Sequence, residues 1–258
     1  MEKVFIDSDI KIFKGEEASK LLSEKNDKEF LKEGSVKKVS DERWREAQEY
    51  EKNTWCFSPA RGMSTDRNED HRSKFGGYRL LNMYLKKPDI KMIELGSGPF
   101  TNLRLIIPEI FKPISQVDLL DPLLDDYIKH TVNCTFKDGY LSGRKVNLIN
   151  SPIEDFKVEG TYDLIVMMNV LEHCKDVDLI FEKILQMMDE NSIFLFHDVS
   201  IDDNKVDELI SNHWDCGHPI LLSQSYIREK LKNFKVIYKN ADFSEKNEMN
   251  TFYYILKK

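Results

Sequence analysis

The stretch Ile90-Lys91-Met92-Ile93-Glu94-Leu95-Gly96-Ser97-Gly98-Pro99-Phe100-Thr101-Asn102 decides how this chain is read. Apolar residues lead into an acid, Glu94, then come Gly96 and Gly98, and a helix-like run starts near Thr101. Strand, glycine turn, helix is the opening of a nucleotide-binding βαβ unit. Glycine suits the turn because no Cβ restricts its backbone or holds a ligand away. The dinucleotide fingerprint Gly-x-Gly-x-x-Gly needs its third glycine at position 101. Thr101 stands there, which argues against a pyrophosphate seated on the helix N-terminus. An ordinary glycine turn in an α/β protein is the plainer alternative.

Downstream, strand and helix patterns alternate. Leu103 to Ile107 are apolar and Pro108 interrupts them, so the first helix is short or kinked. Residues 116–120 read as a second strand ending at Asp121-Pro122, and residues 125–132 as a helix. Residues 134–144 are polar with Gly139 and Gly143, a loop or small hairpin, and residues 146–149 form a third short strand. Residues 162–168 are nearly all apolar after Asp163, as in a strand buried on both faces of a parallel sheet. Val177, Ile180, Phe181, Ile184, Leu185 and Met188 share one helical face, and the Met187-Met188 pair belongs to the core. Residues 192–196 give a fifth strand ending in His197-Asp198. Residues 205–211 look helical, 213–219 a loop, and Ser223 is placed to cap a helix reaching Leu231. Residues 236–238 and 251–256 read as a closing antiparallel pair. The fold class is α/β: a Rossmann-like, mostly parallel sheet with helices on both faces.

The first 75 residues read as a separate N-terminal helical cap, with the core spanning 76–258. Residues 1–40 are charged, with apolar clusters near Val4 to Ile6 and at Leu21-Leu22. Ser40 is placed to cap a helix carrying Trp44, Ala47 and Gln48, with Trp55 beyond. Residues 56–68 read as a loop, Gly76-Gly77 break the chain, and residues 78–85 form a helix ended by Pro88. The cap aromatics either pack the cap on the core or close over a ligand.

A chain of 258 residues can bury a sizeable core, and 41% apolar content suits a globular protein. With a net charge of -7 and no long Lys/Arg block, nucleic acid is not the expected partner. Cys56, Cys134, Cys174 and Cys216 lie far apart without a Cys-x-x-Cys pair, so they read as free thiols of a reducing cytoplasm. No apolar stretch resembles a signal peptide or approaches membrane length, so neither export nor a membrane partner is expected.

Glu94-Leu95-Gly96-Ser97-Gly98 resembles motif I of class I S-adenosylmethionine-dependent methyltransferases, an acid followed by Leu-Gly-x-Gly; the family's usual third glycine is replaced by Phe100. The resemblance covers about residues 80–258 and implies seven strands with the last antiparallel. It implies S-adenosylmethionine as cofactor, its amino-acid part against Glu94, Gly96, Ser97 and Gly98. Asp121, at the end of the second strand and roughly 20 residues past the glycines, can accept both ribose hydroxyls, with Asp118 as fallback. In the family the loop after strand three edges the adenine. Pro152 occupies the place of the usual acid, leaving Ile153 and Glu154 as contacts. Asn169-Val170-Leu171-Glu172-His173 resembles motif IV of the bacterial small-molecule branch, and Asn169 joins the cofactor set. It is not the Asn-Pro-Pro-Tyr form used on adenine or glutamine. The lead Trp44, Tyr50, Glu51, Lys52, Trp55 resembles that of some bacterial small-molecule methyltransferases.

Methyl transfer from a sulfonium is a direct displacement, and a base is needed only when the nucleophile holds a proton near neutral pH. His173 and His197 fall at strand C-terminal ends, and His218 lies in a loop placed to return over the top of the sheet; all three are candidates, and each is also readable as a structural histidine bonding a backbone carbonyl. Asp198 is a candidate to orient one of them or bind a cation, and Glu172 to cap the following helix. Metal-dependent O-methyltransferases usually carry Asp where Asn169 stands, so no metal is expected. The resemblance implies methylation of an oxygen of a small polar metabolite: a sugar, nucleotide-sugar or phosphorylated precursor of a bacterial surface polysaccharide. N-methylation, a nicotinamide-dependent oxidoreductase and a decayed cofactor site are the alternatives. Oligomeric state is not legible.

Overall fold

The apolar runs become the middle of one seven-stranded sheet: β1 Ile90–Leu95, β2 Ile114–Leu120, β3 Asn147–Ile149, β4 Leu164–Met168, β5 Ile193–Ile201, β6 Lys235–Phe243 and β7 Met249–Lys257. Across the sheet the order is β6-β7-β5-β4-β1-β2-β3. β1 to β5 pair in parallel, and β7 lies antiparallel to both β5 and β6. The seven strands and the antiparallel closing pair are as expected. This computed structural model describes residues 4–6, 10–12, 31–32, 35–57, 68–203, 205, 217–243 and 249–258. Leu21-Leu22, most of the 56–68 loop, all but the first residue of the helix read over 205–211, and most of the 213–219 loop with Cys216 therefore lie outside the described residues.

The central strands are apolar without alternation because both faces are covered. Ile93, Ile165, Met167, Phe194 and Phe196 point into one buried cluster; Met92, Leu164, Val166, Ile193 and Leu195 point into the other. A strand buried on both sides reads as a continuous hydrophobic run.

Six helices matter here: α1 Asp41–Lys52, α2 Asn68–Lys74, α3 Leu103–Ile106, α4 Leu124–His130, α5 Val177–Met187 and α6 Gln224–Leu231. Ser40 caps α1 and Ser223 caps α6 through their side-chain oxygens, each satisfying a backbone donor the helix leaves open. α3 is a single turn and passes into a 3-10 turn, Ile107–Glu109, because Pro108 has no N–H to continue the ladder. The helix expected over residues 78–85 is instead a 3-10 turn, Arg79–Met83. The hairpin expected within 134–144 is the pair Tyr140–Leu141 and Arg144–Lys145. Met187 and Met188 are both buried, as read.

Glu172 does not cap α5; Asp176 does, accepting from the Leu179 amide at 3.2 Å. β5 does not stop at Phe196 but continues through His197 and Asp198 to Ile201, because β7 pairs with it over that whole length.

The N-terminal segment shares the core of the sheet. Val36 exchanges backbone hydrogen bonds with Leu221, and Val36 and Val39 sit in the cluster that holds Phe194 and Phe196. No helix among the described residues is long and apolar enough to cross a membrane, and Cys56, Cys134 and Cys174 are free thiols.

Candidate active site

The strand order reverses between β1 and β4, so the connections leaving their C-terminal ends diverge and open a crevice, the place where open α/β sheets take ligands. A cavity of about 660 Å³ lies there, within the range of small-molecule and cofactor pockets. Its wall takes residues from the ends of β1 to β5, from α1, and from the segment around His218.

The loop after β1 forms one end. Gly96 and Gly98 have φ of +66° and +54°, in the left-handed region that side chains disfavour. A Cβ on Gly96 would also come within 2.6 Å of both Val170 methyl carbons, so the glycine lets the β1 loop lie against the β4 loop. Beneath it Glu94 is buried, and its carboxylate gathers the Asn102 amide at 3.0 Å, the Asn102 side-chain amide at 2.9 Å, the Leu103 amide at 3.2 Å and the Thr101 hydroxyl. Burial pushes the Glu94 carboxyl up from its usual range, and these donors oppose the shift. Glu94 lies behind the cavity wall rather than in it. It fixes the loop's shape from below.

Asp121 stands in the wall at the end of β2. Its Oδ2 accepts from the Gly98 amide at 3.0 Å and its Oδ1 from the Leu123 amide at 2.8 Å. Burial raises its carboxyl to about 6 against the lowering effect of those two amides. A carboxylate has about four acceptor positions, so two amides leave room for two further donors. The fallback Asp118 is engaged below, by Gln116, Asn147 and the Tyr162 hydroxyl at 2.6–2.7 Å. Ile153 and Glu154 line the next stretch of wall, and Glu154 also accepts from the Lys175 and Asp176 amides at the entry to α5.

The β4 loop forms the opposite end. Asn169 has φ of +60°, a conformation in which asparagine is tolerated better than most residues and which concentrates at functional sites. Its side-chain amide donates to Glu172 Oε1 at 2.9 Å. His173 Nδ1 donates to the Gly217 carbonyl at 3.0 Å, which brings its ring within 4.6 Å of the His218 ring, centroid to centroid. Nε2 of His173 and Nε2 of His218 each lie 3.6 Å from the same oxygen, Glu172 Oε1. Asp198 does not orient a histidine. It holds the β4 loop by accepting from the Val170, Leu171 and Val199 amides at 2.8–3.3 Å. Burial, then the Glu172 charge, raise its carboxyl to about 7.

His197 takes another place. It sits within β5, buried between the rings of His71 and Tyr253 at 4.7 and 4.3 Å, behind the wall. Of the three histidines, His173 and His218 come together at the cavity and His197 stays outside it.

Of the remaining wall residues, those of the first helix were legible in the sequence as one helical face and those of the second were not. α1 and the turn after it present Trp44, Gln48, Glu51 and Trp55, a helical face with spacing i, i+4, i+7, i+11. Gln48 donates to the His173 carbonyl at 3.1 Å, and Trp55 donates to Glu51 at 2.8 Å. Asn68 and His71 of α2 approach the glycine loop, Asn68 donating to the Phe100 carbonyl at 2.8 Å. The α1 spacing was a usable signal; the seven-residue α2 gave none. Among the described lining residues there are five acids, Glu51, Asp121, Glu154, Glu172 and Asp198, and no lysine or arginine.

No curated protein sequence matches the chain. Among solved structures it is similar to the N-methyltransferase NodS of Bradyrhizobium japonicum WM9 in complex with S-adenosyl-L-homocysteine, with TM-score 0.55 and 13% identity over 84% of this chain and 99% of that one. It is similar to an S-adenosylmethionine-dependent methyltransferase of Clostridium acetobutylicum ATCC 824, with TM-score 0.53 and 14% identity over 83% of this chain and 97% of that one. A coclaurine N-methyltransferase aligns with TM-score 0.53 and 13% identity, covering 95% of this chain and 83% of that one. At such identities the likeness is one of fold. A family model described as a methyltransferase domain matches residues 40–241, from the cap of α1 through most of β6, and the chain belongs to that methyltransferase family.

Proposed function

We propose that this S-adenosylmethionine-dependent methyltransferase places the methyl group on a hydroxyl oxygen of a small, polar metabolite, a sugar or sugar-like compound. The observation that carries the reading is one cavity with two unlike ends: the glycine loop with Asp121 at one, and Glu172, His173 and His218 at the other. When bound, the cofactor supplies an electrophilic sulfonium methyl, which an oxygen lone pair takes as the S–C bond breaks and its electrons stay on sulfur.

The chain's own residues do the rest. Asp121 offers its two remaining acceptor positions to the ribose hydroxyls. Gly96, Ser97 and Gly98 keep the backbone low beside the amino-acid part, with Glu94 holding them from below. Ile153 and Glu154 edge the adenine, and Asn169 marks the seam between cofactor and acceptor. A hydroxyl keeps its proton near neutral pH, unlike a carboxylate or phosphate oxygen. The Glu172, His173 and His218 cluster is there to take or weaken that proton; His197, behind the wall, plays no part. The surplus of acids in the wall favours a neutral acceptor over a phosphorylated precursor. The residues before about 75 act as a cap, with Trp44 and Trp55 over the cavity.

The test is calorimetry with S-adenosylmethionine, S-adenosylhomocysteine and NADH, followed by labelled-methyl assays on neutral sugars, sugar phosphates and amines. Binding of the two adenosyl ligands but not NADH, with label entering neutral hydroxyl compounds, is the expected result. Label entering only amines overturns the oxygen reading. His173→Ala lowers turnover roughly 100-fold or more with cofactor affinity nearly intact; full activity in that variant removes His173 from the chemistry.

A further inference from the structure

The cluster at the acceptor end has a geometry that proton transfer alone does not explain. A backbone carbonyl can only accept, so the 3.0 Å contact with Gly217 fixes the His173 proton on Nδ1. In the neutral ring Nε2 is then a bare lone pair, and it faces Glu172 Oε1 at 3.6 Å. Nε2 of His218 faces the same oxygen, also at 3.6 Å. These separations are too long for hydrogen bonds.

We propose that Glu172, His173 and His218 form a binding site for one divalent first-row transition-metal cation at the acceptor end of the cavity. One ligand atom from each of the three residues lies within 4.8 Å of the others. Donors bonded to one ion at about 2.0–2.2 Å stand about 3–3.5 Å apart, so the two 3.6 Å separations from Glu172 need shifts of only tenths of an ångström, and the remaining pair lies within 4.8 Å before any cation draws it in. Each of two ligands already has an outer partner of the kind that fixes metal ligands: the Gly217 carbonyl on His173, and the Asn169 amide on Glu172 Oε1 at 2.9 Å. Two imidazoles and one carboxylate suit zinc, cobalt or manganese better than magnesium or calcium. The three residues are half-buried and on the cavity wall, so coordination positions remain open toward an acceptor.

The three-ligand geometry is independent of the methyltransferase reading; what a cation does for an acceptor rests on that reading. A cation there would lower the pKa of an acceptor hydroxyl, whose proton would pass to solvent water at the cavity, so the oxygen would become a nucleophile without a free imidazole base. The ligands come from the residues after Asn169, and from a segment far along the chain, rather than from an aspartate at position 169.

The experiment uses untagged full-length protein stripped with chelator and titrated with Co²⁺, read by visible absorption, with displacement by Zn²⁺. S-adenosylhomocysteine affinity of the same stripped protein is measured in parallel by calorimetry. One equivalent of Co²⁺ is expected to bind, with affinity falling roughly 100-fold or more in Glu172→Gln and His218→Ala and unchanged in His130→Ala, whose histidine is outside the cavity wall. Glu172→Gln has the wild-type side-chain volume and carries the test should His218→Ala melt early. Wild-type protein that binds S-adenosylhomocysteine but no Co²⁺ overturns the cation and leaves the methyltransferase reading standing. Co²⁺ binding that survives both substitutions also overturns the assignment. Co²⁺ binding lost in the variants, with no binding of S-adenosylhomocysteine, supports the cation and removes the cofactor reading.

Discussion

Asp121 and Glu94 are both buried carboxylates of the same corner, and they differ in what their oxygens still lack. Glu94 is enclosed by four donors, whereas Asp121 has two and faces the cavity. Asp121→Asn is therefore expected to weaken S-adenosylhomocysteine binding by about 1–3 kcal/mol, the loss of acceptor positions for hydroxyls; unchanged affinity sinks the ribose assignment. The same residue sets a pH dependence. Its carboxyl lies near 6, raised mainly by burial, and only the ionised form accepts two hydroxyls. Affinity should hold above that value and fall as pH drops through it, by up to tenfold per pH unit. Calorimetry between pH 5 and 8 checks this, and the Asn variant should show a flatter profile. That an acid stands at the end of the second strand was legible in the sequence, and Glu94 was singled out there by its resemblance to motif I. The partners of Glu94 were not. Thr101, out of place for a dinucleotide fingerprint, is the residue whose hydroxyl reaches Glu94, a role no spacing rule carries.

Among the elements, α5 is the one whose amphipathic face was plainest in sequence, and its outer surface has a fastening that was not. Asp178 in its first turn accepts from the Tyr226 hydroxyl of α6 at 2.6 Å, pairs with Lys37 of the N-terminal segment at 2.9 Å, and pairs with Lys230 of α6. Burial opposes its charge, but the hydrogen bonds from Lys230, Tyr226 and Lys37 outweigh it and hold the carboxyl well below its ordinary value of 3.8. A depressed carboxyl contributes stability above the unfolded value and loses it only as pH falls toward the folded one. The side chain is about a third exposed, so screening limits the effect. Asp178→Asn should cost about 1 kcal/mol, roughly 2–4 °C in melting temperature. Melting curves should keep that gap at pH 5 and close it only in stronger acid. Element boundaries were less legible than element identities. β5 outruns its apolar stretch because a partner strand extends it. Asp176, and not the candidate Glu172, caps α5, because Asp176 is three residues from the amide it satisfies.

For the molecule as a whole, the cavity is enclosed by five strand ends and by α1, so a ligand there ties the N-terminal segment to the sheet. Saturation with S-adenosylhomocysteine at about 100 times its Kd should stabilise the fold by about 2.7 kcal/mol. A melting point higher by roughly 5–10 °C is the expected reading, and no shift at saturation would mean that the ligand does not prefer the folded state. The sequence by itself determined the α/β alternation, the seven strands, the glycine loop and the acid that follows it. These rest on period, turn chemistry and local steric rules, which act over a few residues and so are written in order along the chain. Only the tertiary structure decided which histidines meet. His173 reaches Gly217 across 44 residues, Gln48 reaches the His173 carbonyl across 125, and His197 turns behind the wall although it too comes after an apolar stretch. Such meetings depend on sheet order and on where long connections return. Both are set by packing the whole chain around two buried faces, and no local pattern records the result.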